Sequence, residues 1–339
     1  MRFLVDQLGF RLDMIMPADA PRIALVSGHG IHLRLEQSAG QSTPLSPITL
    51  RLPHALKPRC ESMAEIPDAI AIAFEDPPLS GLSVTPVDQP IVCRLDEGSS
   101  WGVGRAGMQY RDLIPGRLDG SIIASHIRIL DGGPVDDYVH YHTVGVQLIY
   151  CRRGWVRVVY EDQGEPFVMQ AGDCVLQPPT IRHRVLESSA GLEVIELGTP
   201  AEHETWRDHD LTLPTSSLNP LRVFNGQRFV RHVAADVEWV PIAEGITYRD
   251  TGISVATERA AGARVLKLAG TPEKPINHAS QTAAFRFFFV LHGEVEWAGY
   301  GDDSISLGTD DAWVLPCHRS YSLRTTTTTE LLEISLPAA

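Results

Sequence analysis

The sequence predicts a mainly β protein in which one strand-rich unit occurs twice, preceded by a small α+β segment. Three observations predict it. From Ile122 the chain breaks into short apolar runs separated by turn residues at roughly ten-residue intervals, the pattern of all-β sandwiches and barrels. A second series of such runs, from near Val255 to Leu336, repeats the first: Gly154 is matched by Gly293 at an offset of 139, and Asp173 by Asp311 and Pro178 by Pro316 at an offset of 138. Independent landmarks that agree within one residue indicate duplication. At the N-terminus, residues 1–9 read as the end of a short helix with Gly9 as its stop.

Composition narrows the function. A chain of 339 residues has room for two or three sizeable cores, and 43% apolar with 21% charged residues is ordinary for a globular protein. The net charge of −13 argues against a nucleic-acid partner and against an anionic membrane surface, each of which needs a basic patch. Local basic groups (Arg152, Arg153, Arg157, Arg182, Arg184) leave a small anionic substrate open. No apolar run reaches the length of a membrane span, and MRFLVDQLGF lacks the features of a secretory signal. The five cysteines, Cys60, Cys93, Cys151, Cys174 and Cys317, are scattered and form no C-x-x-C pair, so reduced thiols and a cytoplasmic location are expected.

In chain order, three short strands are expected after Gly9, at Phe10–Met16, Ile23–Val26 and Ile31–Glu36, separated by Pro- and Gly-bearing turns. Residues 38–96 are Pro-rich and read as a connection with edge strands, one of them at Ala69–Phe74. The first strand series is expected at Ile122–Leu130, Tyr138–Thr143, Val146–Tyr150, Val156–Tyr160, Phe167–Met169, Cys174–Gln177, His183–Glu187 and Leu192–Leu197. The polar run Ala201–Pro220 reads as a linker or lid.

Within the first series, His140 and His142 lie on the same face of a strand, because strand side chains alternate. Gln147 follows after four residues and Gly154 after six more, and a second block brings Gly172, Pro178 and His183. Three imidazoles and one amide carbonyl suit a first-row divalent metal. This spacing resembles the two motifs of the cupin superfamily, with Thr180 standing where the second motif has glycine. The likeness covers about Gly120–Leu197 strongly and Gly252–Leu336 weakly, so the chain resembles a bicupin. The implied fold is two double-stranded β-helix (cupin, jelly-roll) barrels with a small α+β N-terminal segment. The expected organisation is an N-terminal segment with its connection over 1–97, a metal-binding barrel over 98–200, a linker or lid over 201–251 and a degenerate barrel over 252–339.

The resemblance implies one divalent cation (Fe, Mn, Ni, Co or Zn) on His140, His142, Gln147 and His183, a small-molecule substrate and a homodimer. In the second repeat the positions counted from the motif are Ala279, Gln281, Arg286 and Tyr321, so the metal site is expected to be lost there. The stretch LVDQLGFRLDMIMPADAPRIALVSGHGIHLRLE resembles part of a vicinal-oxygen-chelate (glyoxalase-like) module, with Glu36 at that family's ligand position. No strand carrying the partner ligand is found in residues 1–9, so no working chelate site is expected.

Glutamine at position 147, where the superfamily more often has glutamate, leaves the cation its full charge and favours Lewis-acid chemistry. It resembles cupin isomerases and ring-opening enzymes. A non-haem iron dioxygenase is the alternative, and a non-catalytic ligand-binding or structural bicupin is the third reading. Around the ligands, Tyr138 shares the parity of His140 and His142, and Glu187 lies four residues beyond His183, so each is a candidate acid/base. Arg128 and His126 share a strand face and are candidates for substrate binding, Arg128 through its fork of donors. The alternatives are rim packing for Tyr138, a histidine partner for Glu187 and a surface charge for Arg128.

Overall fold

The computed structural model describes residues 3–17, 22–29, 31–37, 48–52, 70–74, 84, 87–96, 99–270, 276–278, 283–300, 303–316 and 320–336. The chain divides into two compact units, Met1–Pro78 and Leu79–Ala339.

In the first unit a single helical turn, Phe3–Gln7, ends ahead of Gly9, which takes φ +73°. Strands Arg11–Met16, Ile23–Gly28 and Ile31–Glu36 form an antiparallel sheet in sequence order. Leu4, Leu8, Phe10 and Val26 bury their side chains together. Strands Ile48–Leu52 and Ile70–Phe74 pair in parallel, and the rest of the Pro-rich connection up to residue 83 lies outside the described residues. Glu36 is exposed and ion-paired with Arg34.

The second unit consists of two barrels, each made of a larger and a smaller antiparallel sheet. In the first barrel the larger sheet runs in the order Val230–His232, Cys174–Leu176, Val146–Arg153, Leu192–Thr199, Ile123–Ile129, Gln109–Asp112, Gly102–Val103. Its smaller sheet runs Phe167–Gln170, Trp155–Tyr160, His183–Ser188, His140–His142, Thr205–Arg207. The second barrel repeats this with Ile91–Cys93, Ala312–Val314, Phe285–His292, Thr329–Leu336, Gly262–Leu268, Ile246–Asp250 and Val240–Ala243 in one sheet. The other contains Ile276–His278, Tyr321–Arg324, Glu294–Tyr300 and Asp303–Gly308. No helix among the described residues is long and apolar enough to cross a membrane.

Two expected boundaries shift. Ile91–Cys93, assigned from sequence to the N-terminal connection, pairs with Ala312–Val314 and so completes the second barrel. The 201–251 stretch is built into both barrels: Thr205–Arg207 pairs with His140–His142, Val230–His232 with Cys174–Leu176, and Ile246–Asp250 with Gly262–Leu268. Edge carbonyls and amides of each sheet need partners, and these short polar strands supply them.

The larger sheets pack against each other through their outer faces. Ala124, Leu148, Tyr150, Ile195 and Leu197 of one meet Val265, Phe285, Phe287, Phe289, Leu332 and Ile334 of the other in one continuous core. Residues of the opposite parity line the barrel interiors. Cys151 and Cys174 are buried free thiols, and burial pushes Cys151 up to about 12, so neither is a ready nucleophile.

Two motif positions take left-handed backbone conformations. Gly154 takes φ +73°, and a Cβ there would stand 2.3 Å from Ser189 Oγ, which accepts a hydrogen bond from the Trp155 amide at 3.0 Å. Thr180, in the slot of the second motif's glycine, is held at φ +65°, costly for a β-branched residue. Gly154→Ala is expected to destabilise the protein by about 1–3 kcal/mol. Thr180→Gly is expected to stabilise it by about 0.5–1 kcal/mol, the relief of left-handed strain exceeding the entropy cost of glycine. Urea denaturation of both variants checks the pair.

Candidate metal centre and cavity

Strand pairing brings the two motifs together. His140 sits directly opposite His183 across the smaller sheet, and His142 lies on the same face two residues on. Ligand-capable atoms of the three imidazoles all lie within 4.8 Å of one another. His140 Nδ1 is 2.8 Å from the Tyr138 carbonyl and His183 Nδ1 is 3.0 Å from the Ile181 carbonyl. A carbonyl can only accept, so in both rings Nδ1 carries the proton and Nε2 keeps its lone pair. His142 Nδ1 is 2.9 Å from Thr205 Oγ1. Behind His140 lies Asp137, fully buried, ion-paired with Arg105 and accepting the Val185 amide at 2.9 Å.

Gln147 enters from the larger sheet. Its Nε2 donates to Glu196 Oε1 at 2.5 Å, which orients the amide and leaves Oε1 buried without a partner. His140 Nε2 is also buried and unpartnered. Orphaned buried acceptors are rare and call for an explanation. Neutral nitrogen lone pairs with an amide oxygen fit a divalent first-row cation.

Electrostatics keep these rings neutral. Burial is the main cause of a lowered proton affinity in all three. His142 falls to about 3, with His140, His203 and Arg105 adding to the effect. His140 is lowered by burial and then by Arg105, and His183 lies well below its ordinary range because of burial and its two histidine neighbours. A depressed folded-state affinity means that the unfolded chain binds protons below about pH 6.5 that the folded chain refuses. Stability of EDTA-treated protein is therefore expected to be full above about pH 6.5 and to fall as pH drops from there toward about 3. Thermal melts across that range check the direction.

A cavity of about 500 Å³ opens beside the cluster. His142, His183, Gln147, Glu196, Gln177, Ser125, His203, Thr205, Arg105, Arg184, Tyr110, Tyr138 and Tyr160 line it together with a long series of aliphatic side chains and two methionines. Gln177 is buried and neither of its amide atoms has a partner. His203 reaches the site from the 201–251 stretch, its ring 5.4 Å from that of His142 and its Nδ1 2.9 Å from the Pro200 carbonyl.

Three of the sequence-derived site assignments are corrected. Along Ile123–Ile129 the cavity-lining residues are Ile123, Ser125, Ile127 and Ile129, so His126 and Arg128 have the opposite parity and point away. His126 is buried between the barrels, 3.1 Å from Glu193 and edge-on to Phe289. Arg128 donates to Gln109 and stacks on Trp101 at 3.7 Å. Glu187 is not among the cavity-lining residues. A register shift, in which Arg157 pairs Glu187 but Val158 pairs Val185, inserts one extra residue and reverses the parity counted from His183. Tyr138 does line the cavity, its ring 5.8 Å from that of His140.

Register also relocates the second repeat. His278 stands opposite Tyr321 as His140 stands opposite His183, so His278, and not Ala279, corresponds to His140; residues 279–282 lie outside the described residues. Arg286 pairs Ser335 and Phe288 pairs Glu333, as Gln147 pairs Gly198 and Ile149 pairs Glu196. Glu333 is therefore the counterpart of Glu196. In the second barrel it is held by Arg286 at 2.9 Å and Arg264 at 2.6 Å, with Arg286 also donating to the Tyr321 hydroxyl at 3.1 Å. The matching positions in the first barrel are the neutral Gln147 and Ser125.

Residues 126–197 match the Cupin domain family. No curated protein matches the chain. Among solved structures, it is similar to a single-site mutant of Bacillus subtilis oxalate decarboxylase OxdC, at 12% identity and TM-score 0.55, over 74% of this chain and 78% of that one. It is likewise similar to Lactobacillus farciminis oxalate decarboxylase in a formate complex, at 12% identity and TM-score 0.56, over 74% and 86%. A structure concerned with the Mn(II) centres of the Bacillus subtilis enzyme aligns at 13% identity and TM-score 0.53, over 74% and 78%. At this identity the likeness is one of fold. Residues 126–197 carry the match to the Cupin domain family, and the chain shares the bicupin fold of these structures.

Proposed function

We propose that the first barrel is a metal-dependent cupin enzyme that shifts a proton next to a carbonyl of a small oxygenated substrate. The observation that carries this reading is the clustering of three carbonyl- or hydroxyl-anchored imidazoles at a cavity that Gln147, with its unpartnered Oε1, also lines. His140, His142, His183 and Gln147 would hold the cation, which supplies Lewis acidity toward a carbonyl oxygen when bound.

Glu196 is the proton acceptor in this reading. Among the described residues it accepts one hydrogen bond, from Gln147, and it lines the cavity. The positions of Arg286 and Arg264, which neutralise its counterpart Glu333, hold Gln147 and Ser125 here, and Arg105, which also lines the cavity, is ion-paired with Asp137. On attack the substrate C–H bond breaks, an O–H bond forms on the Glu196 carboxylate, and the electron pair moves into the adjoining carbonyl to give an enolate. In a β,γ-unsaturated carbonyl substrate the pair extends to the γ-carbon, and return of the proton there, with the double bond moving into conjugation, completes an isomerisation; return to the same carbon gives exchange with solvent. Gln177 offers an unpaired N–H to the substrate's oxygen, and the aliphatic walls exclude water.

Protein purified without added metal is expected to contain a divalent first-row cation that His140→Ala and His183→Ala both lose. Glu196→Gln is expected to keep the metal and to lower deuterium uptake from heavy water into a 1,3-diketone by about 10²–10⁴-fold. Oxygen consumption with the same diketone, dependent on bound iron, would replace this reading with a dioxygenase. Protein that takes up no divalent cation would overturn the metal centre itself.

A further inference from the structure

The cavity is far from uniform along its length. Antiparallel register sorts its lining into levels: Glu196 lies opposite Ser125, Val194 opposite Ile127, and Leu192 opposite Ile129. On the smaller sheet, Tyr160 lies opposite His183, Val158 opposite Val185, and Val156 opposite Met169. Most polar groups therefore share one end with the histidines, and beyond Glu196 these levels are aliphatic apart from Met169 and from Tyr110, which lies opposite Ile127; Arg105 also lines the cavity and is ion-paired with Asp137. Four strand residues separate Glu196 from Leu192, a depth of roughly 13 Å at about 3.3 Å per residue.

The second barrel shows that this space is a property of the sequence and not of the fold. Phe288, Trp297 and Trp313 occupy positions matched to Ile149, Val158 and Val175, and all three are fully buried. Phe288 and Trp313 stack at 4.7 Å. Aromatic rings thus fill one barrel where the other carries short aliphatics around an open cavity.

We infer that the substrate is a molecule with an oxygen-bearing chelating head and an apolar chain of several carbons, the head at the histidine cluster and the chain running down the barrel. The inference rests on the metal-centre reading for its head group and on the aliphatic shaft for its chain. A dianion as small as the oxalate named for the structural relatives would leave the shaft unfilled. Apolar lining with a few convergent polar groups is the usual make-up of sites for larger, partly apolar ligands. Ile149 and Val158 are the specificity determinants, because they set how much of the shaft is open.

Binding of the 2,4-alkanediones from pentane-2,4-dione to undecane-2,4-dione, measured by calorimetry on Zn-loaded and EDTA-treated protein, tests this. With the metal present, Kd is expected to fall about fourfold per added methylene until the chain fills the shaft. Val158→Trp, which installs the residue of the second barrel, is expected to flatten the series while metal content is retained. Ile149→Phe serves the same purpose if the tryptophan variant does not fold. A flat series in the metal-replete wild type, or oxalate binding more tightly than every dione, would overturn the inference. A fall in Kd with chain length that persists in EDTA-treated protein, with no zinc taken up on loading, would sustain the apolar shaft and sink the metal centre, so the two failures read differently.

Discussion

Alternation of side chains along the larger sheet of the first barrel decides where every group of consequence goes. Val146–Arg153, Leu192–Thr199 and Ile123–Ile129 are covered on both faces, by the barrel interior on one side and by the second barrel on the other. Gln147, Ile149, Glu196 and Ser125 face inward, while Leu148, Tyr150, Ile195 and Ala124 enter the core shared between the barrels. A one-residue slip would exchange the two sets, burying Gln147 and Glu196 among phenylalanines and emptying the core. Because both faces are buried, the register is specified twice over, and the site inherits that precision.

The two barrels solve one electrostatic problem in two ways. Each carries a glutamate at the same register position of its penultimate or last large-sheet strand, Glu196 and Glu333. A carboxylate removed from water needs compensation. The second barrel supplies it internally through Arg264 and Arg286, and closes the remaining space with Phe288, Trp297 and Trp313. Its polar layer has become core. In the first barrel the same glutamate has a single amide donor, the interior is open, and three neutral imidazoles stand nearby with lone pairs available. Open volume and three neutral imidazoles therefore accompany this glutamate in one barrel, whereas in the other the matching glutamate is ion-paired with two arginines and aromatic rings occupy the space.

The segment between the barrels carries more of the site than its polar composition suggests. Thr205 holds the His142 ring and pairs its strand to His140–His142, and His203 adds a fourth imidazole at the cavity wall. Neither residue belongs to a motif, and the run around them is rich in charged groups and prolines, so a local reading assigns it to a loop. Its strands form only because exposed edges of both barrels demand partners, which no local pattern encodes.

Much of the architecture is legible in the amino-acid order, because period-two apolar runs, turn glycines and a repeated set of landmarks are local signals. The trio His140, His142 and His183 is legible for the same reason: motif spacing reports which strand faces must converge. Three things depend on tertiary structure. Inward and outward parity cannot be chosen for a strand buried on both faces, which is why sequence alone offers His126 and Arg128 to the substrate although they belong outside the cavity. Parity cannot be carried across an unseen bulge, which removes Glu187 from the cavity. The partnership of Gln147 with Glu196 joins residues 49 apart in the chain. It is set by the register of neighbouring strands, and register is a property of the assembled sheet.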